Sequence, residues 1–263
     1  MFTERTRGYR CVMTPNVVAR ATALLRAVGA AEPSGASTTE LARAADLARP
    51  TAHRLLTSLA DEGFLDRDSA TGAWTLGPEM YLLGSAAASR YDITRHARRT
   101  VHALAAASGE SAFLSTRRGD ETVCLVREDG SFPLRSHVLY EGIRLPLGVA
   151  SAGLAILAHL PDREIDDYLS RTDLRPDWGT AHAPDAVRER IAATRQTGYA
   201  VNPALLVEGS WGIGAAVFDR TGAPAWALSL TGVETRFRSD RHLELGTLLL
   251  EHAHALTRIL QPR

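Results

Sequence analysis

The chain has 263 residues, 30 basic against 30 acidic side chains, no formal net charge at pH 7, and 45% hydrophobic content. That length holds one large domain or two ordinary ones with well-buried cores, and two are expected. Zero net charge at first argues against nucleic acid as a partner, because a basic face is the usual footprint of such binding.

Residues 1–14 carry Arg5, Arg7 and Arg10 among small and polar residues and read as a flexible N-terminal arm, since chain ends fray unless tied down. Asn16 is a natural cap for a helix whose apolar positions Val17, Val18, Ala21, Leu24, Leu25 and Val28 follow the 3.6-residue period and which ends at Gly29. Glu32 to Ser37 is a loop. The stretch Thr38 to Gly77 then predicts two short helices, a tight turn and a hairpin. The first of these helices begins after Thr38 or Thr39, both good caps, with Glu40 in the first turn where the helix dipole favours a carboxylate. Leu41, Ala44 and Ala45 make its inner stripe. Asp46-Leu47-Ala48 is the turn, and Pro50 opens the second helix without cost because its missing N–H would have been an orphan donor. Leu55, Leu56 and Leu59 face inward. Arg49, Thr51, Ala52, His53 and Arg54 are left around the helix N-terminus, the end that helix-turn-helix proteins present to base edges.

Gly63 stops the second helix. Phe64-Leu65, the polar turn Asp66 to Gly72, and Ala73 to Gly77 make two strands of a wing, so residues 15–77 read as a winged helix-turn-helix. Its candidate DNA-binding residues are Thr39, Arg49, Pro50, Thr51, His53, Arg54 and Arg67. Residues 1–80 hold nine arginines and nine acidic residues, so the positive potential must be local, from Arg43, Arg49, Arg54, Arg67 and Arg20. The bland alternative is a helical pair and hairpin with no nucleic-acid role.

Residues 78–91 read as a linker helix with Met80, Leu82 and Leu83, apolar enough to pack on a partner chain or on the next domain. From Asp92, a natural cap, Ile93, Ala97, Val101, Leu104 and Ala105 mark an amphipathic helix ending near Gly109. The period then shortens to strands at Ala112 to Ser115 and Val123 to Val126, joined through Arg118-Gly119-Asp120, with a third strand from Pro133 to Val138. Helices follow from Gly148 to Leu160, from Pro161 with Ile165, Tyr168 and Leu169, and from Pro184 to Thr197. Gly198-Tyr199-Ala200-Val201 begins a strand, and Ile213 to Phe218 and Trp226 to Thr231 flank the turn Asp219 to Gly222. The closing helix, from Ser239, places Leu245, Leu248, Leu249, His252, Leu256, Ile259 and Leu260 on one face. Residues 92–263 therefore make an α+β domain of antiparallel strands flanked by helices.

All basic residues are arginine, which supplies the cation that matches guanine and phosphate bidentately. Cys11 and Cys124 lie in the arm and in a strand, so a disulfide is not expected and a reducing cytoplasm fits. No segment has the apolar length of a membrane span or the core of a signal peptide.

Taken in order, several motifs resemble the IclR family of bacterial transcription factors. On the DNA side they are Thr39-Glu40-Leu41-Ala42, Thr51-Ala52-His53-Arg54-Leu55-Leu56, Gly63-Phe64-Leu65 and Leu76-Gly77-Pro78. In the second domain they are Arg144-Leu145-Pro146-Leu147, Gly198 to Val201, Ala215 to Asp219 and Ala227 to Gly232. The resemblance covers nearly all of residues 16–260 and implies a winged helix-turn-helix joined by the linker helix to a GAF-like effector-binding domain. It implies dimers or pairs of dimers on a palindromic operator in double-stranded DNA, more often as repressors, controlled by a small organic or aromatic acid. The effector pocket it implies is Gly148, Val149, Ala150, Ser151, Asn202, Gly212, Ser229 and Thr231.

The residues themselves fit that role. Gly148 to Ser151 opens a helix whose free N–H groups could hold a carboxylate, and Ser229 and Thr231 share one strand face while Leu228 and Leu230 fill the other. Hydroxyls bonded to neighbouring backbone are the plain alternative. Where the family often has Asp and Cys, this chain has Asn202 and Gly212, and Leu154 replaces a common Lys. The expectation is a wider, less polar pocket that takes an aromatic or longer acid. Alternation along the strand should point Trp211 away from it.

A GAF-like enzyme is the competing class, and a ligand-binding module whose helix-turn-helix serves only dimerisation is another. Cys124 sits in an apolar run with no nearby His. His252 and His254 are two apart on a helix and face different ways, which makes a poor metal pair. Phosphate loops, nucleophile elbows and CxxC pairs are missing. No catalytic residue, metal or cofactor is expected.

Overall fold

The computed structural model describes residues 16–88, 93–134, 137–237 and 239–261. It divides into two compact units, Met1–Tyr91 and Asp92–Arg263. The expected arm, the Asp92 cap and part of the Pro133–Val138 stretch lie outside the described residues.

In the first unit α1 (Val17–Ala30) starts where Asn16 accepts a hydrogen bond from the Ala19 N–H at 2.8 Å. It buries Leu24 and Val28, while Val17 and Val18 are exposed. Helix α2 (Thr38–Ala44) is capped by Ser37, not by Thr38 or Thr39. The Ser37 hydroxyl accepts from the Glu40 N–H at 3.3 Å while the Glu40 carboxylate accepts from the Ser37 N–H at 2.8 Å, a reciprocal capping box. Thr38 is thereby freed to turn inward, where its hydroxyl accepts from the Trp74 indole N–H at 2.9 Å. Ala42 occupies the inner face and Ala44 is exposed, correcting the stripe drawn above. Asp46, at φ +52°, makes the turn, and α3 (Arg49–Asp61) begins with Pro50 in its first turn.

Strands β1 (Leu65–Arg67) and β2 (Trp74–Leu76) pair antiparallel, Leu65 against Leu76 and Arg67 against Trp74. Leu24, Val28, Leu41, Ala42, Ala52, Leu56, Leu65 and Trp74 form one small core. Helix α4 (Pro78–Ala88) follows, with Tyr81, Leu82 and Leu83 all more than half exposed.

The second unit is built on a six-stranded antiparallel sheet in the order β5-β4-β3-β8-β7-β6. The strands are β3 (Ser111–Arg118), β4 (Glu121–Glu128), β5 (Arg144–Pro146), β6 (Ala200–Pro203), β7 (Ser210–Phe218) and β8 (Pro224–Val233). Each strand alternates, so the sheet has two different faces. Ile213, Ala215, Val217, Leu228 and Leu230 pack with α5 (Ile93–Ser108) and α10 (Ser239–Leu260). On the other side Phe113, Cys124 and Ala227 join the core of α6 (Ser151–Ala158), α7 (Asp162–Arg171) and α9 (Pro184–Thr197). A short α8 (Arg175–Trp178) precedes α9.

The expected strand from Pro133 to Val138 is absent among the described residues. Pro133 lacks the N–H a ladder needs, and the outer edge of β4 is taken by β5, with Thr122 opposite Leu145. Glu110, 2% exposed and just after α5, accepts from Arg236 of the 3-10 turn Glu234–Arg236 at 2.5 Å and from Arg241 of α10 at 2.6 Å. Burial pushes the Cys124 thiol up to about 12, so it is a packing residue and not a nucleophile.

Candidate nucleic-acid interface and ligand pocket

The first unit orients α3 by its buried face. Ala52 is completely buried, which removes it from the candidate surface, and Leu56 lies one turn further into the same core. Arg49, Pro50, His53 and Arg54 are exposed on the opposite face and Thr51 is half-buried. Helical spacing sets Arg49 with His53, and Pro50 with Arg54, as i, i+4 neighbours. The His53 ring meets Trp74 edge-on at 6.3 Å, so its position is fixed by the core beneath it. Thr39 is exposed on the first turn of α2.

Arg67 does two things in the wing. Its guanidinium lies 5.2 Å over the Trp74 ring and donates to the Gly72 carbonyl at 3.5 Å. At the tip Asp68 accepts from the Ala70 and Thr71 N–H groups and from the Thr71 hydroxyl at 2.6–2.9 Å. The Thr71 N–H first, then its hydroxyl, holds that carboxyl below the usual carboxylate range. A tip so closed on itself presents Arg67 at a defined place beside the exposed face of α3.

In the second unit the pocket residues expected from the sequence converge on the N-terminus of α6. Gly148 is buried at φ +84°, a conformation that favours glycine, and a Cβ there would come 3.2 Å from the Val187 side chain. The Leu147 carbonyl accepts from the Tyr168 hydroxyl at 2.7 Å, and the Val149 carbonyl from the Asn202 amide at 2.6 Å. Asn202 also accepts from the Leu205 N–H at 3.0 Å. Its amide therefore fixes the entry to α6, which differs from a side chain reserved for ligand. Ala150 is the N-cap and provides no side-chain acceptor, so the first-turn N–H groups are left without one.

That helix end rests on two glycines of β7. A Cβ on Gly212 would lie 3.1 Å from the Ser151 hydroxyl, and one on Gly214 only 2.6 Å from the Ser151 backbone. Gly212 is opposite Thr231 and Gly214 opposite Ser229. Ser229 is fully buried and Thr231 is 6% exposed, and neither hydroxyl has a hydrogen-bond partner. Two orphaned hydroxyls facing a helix end without a cap are the feature a polar ligand would complete. The backbone-bonded alternative for these hydroxyls is not what the fold adopts.

Three residues here were not read from the sequence. Phe113 is opposite Ser229 on the same sheet face. Gly214 carries the close approach of α6. His182, 1% exposed, donates its Nδ1–H to the Trp178 carbonyl at 2.9 Å, and its Nε2 lies 3.5 Å from the Val149 carbonyl; burial first, then Arg190, pushes its pKa down and favours the neutral ring. Only the strand register and the path of the chain before α9 identify them, and neither has a local signal. Trp211 packs with Ile213 and Ala215 on the α10 side, away from the pocket, as strand alternation requires. Among the described residues no group of three His, Cys, Asp or Glu side chains could hold a metal, and no helix is long and apolar enough to cross a membrane.

A winged helix-turn-helix with an exposed, arginine-bearing recognition helix, joined to a sheet domain with buried, unpartnered hydroxyls, defines a DNA-binding regulator with its own second domain. Comparison with known proteins gives the family. Residues 85–258 match the family described as bacterial transcriptional regulator IclR C-terminal, and residues 17–69 match the IclR helix-turn-helix domain. The chain is 32% identical to the HTH-type transcriptional regulator KipR of Bacillus subtilis, over 77% of this chain and 80% of that one. It is 27% identical to the transcriptional repressor IclR of Escherichia coli, over 83% and 81%. Among solved structures, IclR of Thermotoga maritima superposes with TM-score 0.72 at 24% identity, covering 93% of this chain and 98% of that one. The 4-hydroxybenzoate complex of an IclR homologue from Microbacterium hydrocarbonoxydans gives 0.74 at 22%, covering 93% and 98%. The chain belongs to the IclR family of DNA-binding transcriptional regulators; its relatives are named regulators and repressors, not enzymes.

Proposed function

We propose that this regulator is a cytoplasmic repressor of a catabolic operon that binds a palindromic operator as a homodimer or dimer of dimers and is controlled by an aromatic or longer organic acid. The observation that carries the sensing part is the pair of buried, unpartnered hydroxyls of Ser229 and Thr231 facing the first turn of α6. Gly148, Val149, Ala150, Ser151, Asn202 and Gly212 complete the pocket. The effector carboxylate meets the free N–H groups of α6, and the hydroxyls orient its body. A homologue bound to 4-hydroxybenzoate supports an aromatic acid.

The exposed Tyr81, Leu82 and Leu83 of α4 suit pairing with a second copy. Such pairing sets two α3 helices about 34 Å apart, one DNA turn, or a multiple of it. The effector acts by binding one placement of the two recognition helices more tightly than the other.

Calorimetry tests the pocket: 4-hydroxybenzoate and related aromatic acids should bind more tightly than glyoxylate and pyruvate, and tight binding of the small acids would overturn the assignment. Ser229→Ala gives a second reading. It removes a buried hydroxyl with no partner, so the effector-free protein should melt at an unchanged or higher temperature. Effector affinity should fall by about 0.5–1.5 kcal/mol, the range for a hydrogen bond between neutral groups. Equal affinity in variant and parent would exclude this hydroxyl from the site.

On the DNA side, Arg49→Ala should cost about 1–3 kcal/mol on operator DNA and relax base preference at one position per half-site, as for an arginine reading guanine. Arg54→Ala should weaken operator and random DNA alike and lower the salt slope by about 1, as for a phosphate contact. Identical losses on both DNAs for both variants would refute that division. Footprinting of the upstream intergenic region with and without effector tests the regulator reading as a whole.

A further inference from the structure

We infer that the exposed face of α5 in the sensor domain is a second DNA contact, binding the phosphate backbone of duplex that flanks the operator. The inference rests on the chain binding DNA and goes beyond the recognition helix. Arg95, Arg98, Arg99 and His102 stand at i, i+3, i+4 and i+7, one straight stripe, opposite the buried Ile93, Ala97, Val101 and Leu104. All four are exposed. The helix contains no acidic residue.

Among the described residues of this unit, nine arginines are ion-paired with carboxylates. Arg95, Arg98 and Arg99 have no such partner among the described residues; in the stripe only His102 does, with Glu128 at 3.0 Å. Like charges at helical spacing repel one another. With nine other arginines of the unit ion-paired, these three together on one ridge make an unbalanced positive stripe at the surface.

Duplex DNA is the occupant that the charge favours. The first 80 residues are neutral in sum, so a basic ridge in the second unit would add to the modest local charge around the recognition helix. Guanidinium groups match phosphate oxygens in a bidentate fork. A second copy of the chain is the other polyanionic candidate, through α7, the most acidic helix. Three of the four carboxylates there already pair with Arg195, Arg117 and Arg188 of the same unit. That face has little charge left to offer.

The test uses the full-length chain with all three arginines changed, Arg95→Gln, Arg98→Gln and Arg99→Gln, and random-sequence duplexes of about 20 and about 60 base pairs, read by fluorescence anisotropy over a salt series. Each lost phosphate contact flattens the plot of log K against log salt by about 0.9, so the long duplex should show a slope smaller by about 2–3 per protomer and at least about tenfold weaker binding at low salt. The short duplex should show a smaller change, and Lys in place of Gln at the three positions should restore the slope. An unchanged slope on both duplexes overturns the inference. A slope change that accompanies dissociation of the oligomer in sedimentation also overturns it and assigns the ridge to contact between copies. Parent protein with no salt-dependent binding would overturn the regulator reading itself, which keeps the two failures distinct.

Discussion

Trp74→Ala is expected to unfold the winged unit at 37 °C and abolish operator binding while leaving effector binding in the second unit intact. Trp74 is 2% exposed and is the largest fully buried side chain among the described residues. Its ring joins every part of the unit that matters for DNA. The indole N–H donates to Thr38 in α2, the ring edge supports His53 in α3, and Arg67 of the wing lies over its face. Its backbone also exchanges hydrogen bonds with Ala36, at 2.9 and 3.2 Å, anchoring the strand to the loop before α2. Removing the ring leaves a cavity and an unsatisfied Thr38 hydroxyl, and a buried Trp replaced by Ala costs about 3–5 kcal/mol. A unit of this size buries too little surface to absorb that loss. Calorimetric scanning should split into two transitions, with only the lower one shifted. Trp74→Phe, which keeps most of the volume and loses the hydrogen bond, should retain DNA binding at low temperature. A Trp74→Ala protein with parental melting and parental operator affinity would sink this account of how α3 is held.

How much of this was legible in the sequence depended on whether the deciding interaction was local. Helix α9 spans Pro184 to Thr197 as read, because a proline at its first position and Gly198 at its end, φ +84°, are signals within the segment itself. The inner face of α5 was equally plain, since Ile93, Ala97, Val101, Leu104 and Ala105 are all buried. The cap of α2 was displaced by one residue for a reason outside the helix. Thr38 and Ser37 are both good caps, and what decides between them is Trp74, 36 positions away, which claims the Thr38 hydroxyl. The failed strand at Pro133 to Val138 has the same origin. Its composition suits a strand, yet the single free edge of β4 goes to Arg144–Pro146.

The pocket divides along the same line. Glycine at 148 and 212 and hydroxyls at 229 and 231 could be named from the motifs. That the hydroxyls are orphaned, and that Asn202 is engaged by Val149 and Leu205, are properties of the assembled sheet. Gly212 is a point of close approach between β7 and Ser151, and the amide at 202 is a fastening of the α6 entry. A substitution at Asn202 should therefore disturb ligand binding through Val149, by moving the helix end, more than by losing a contact to the ligand.

The sharpest consequence concerns Gly214, one strand step beyond the expected pocket position. Gly214→Val should destabilise the sensor domain by about 3 kcal/mol or more, the upper part of the range for overpacking, and eliminate the effector response. A Cβ at this position would lie 2.6 Å from the Ser151 carbonyl carbon and oxygen and 2.9 Å from the Ala152 nitrogen. Those atoms belong to the backbone of the first turn of α6, so no rotamer change relieves the clash. The helix end must lift from β7, and its free N–H groups leave the neighbourhood of Ser229, the residue opposite Gly214 in β8. Gly212→Ala is the matched control on the same strand. Its Cβ would meet the Ser151 hydroxyl at 3.1 Å and the Thr231 methyl at 3.6 Å, contacts that a small side-chain adjustment accommodates. That variant should stay within about 1 kcal/mol of the parent in stability and change effector affinity far less than Gly214→Val does, because α6 stays seated on β7. Thermal melts and effector titrations on the two variants separate the outcomes: equal stability for Gly214→Val and the parent would mean that α6 is not seated on β7 as described.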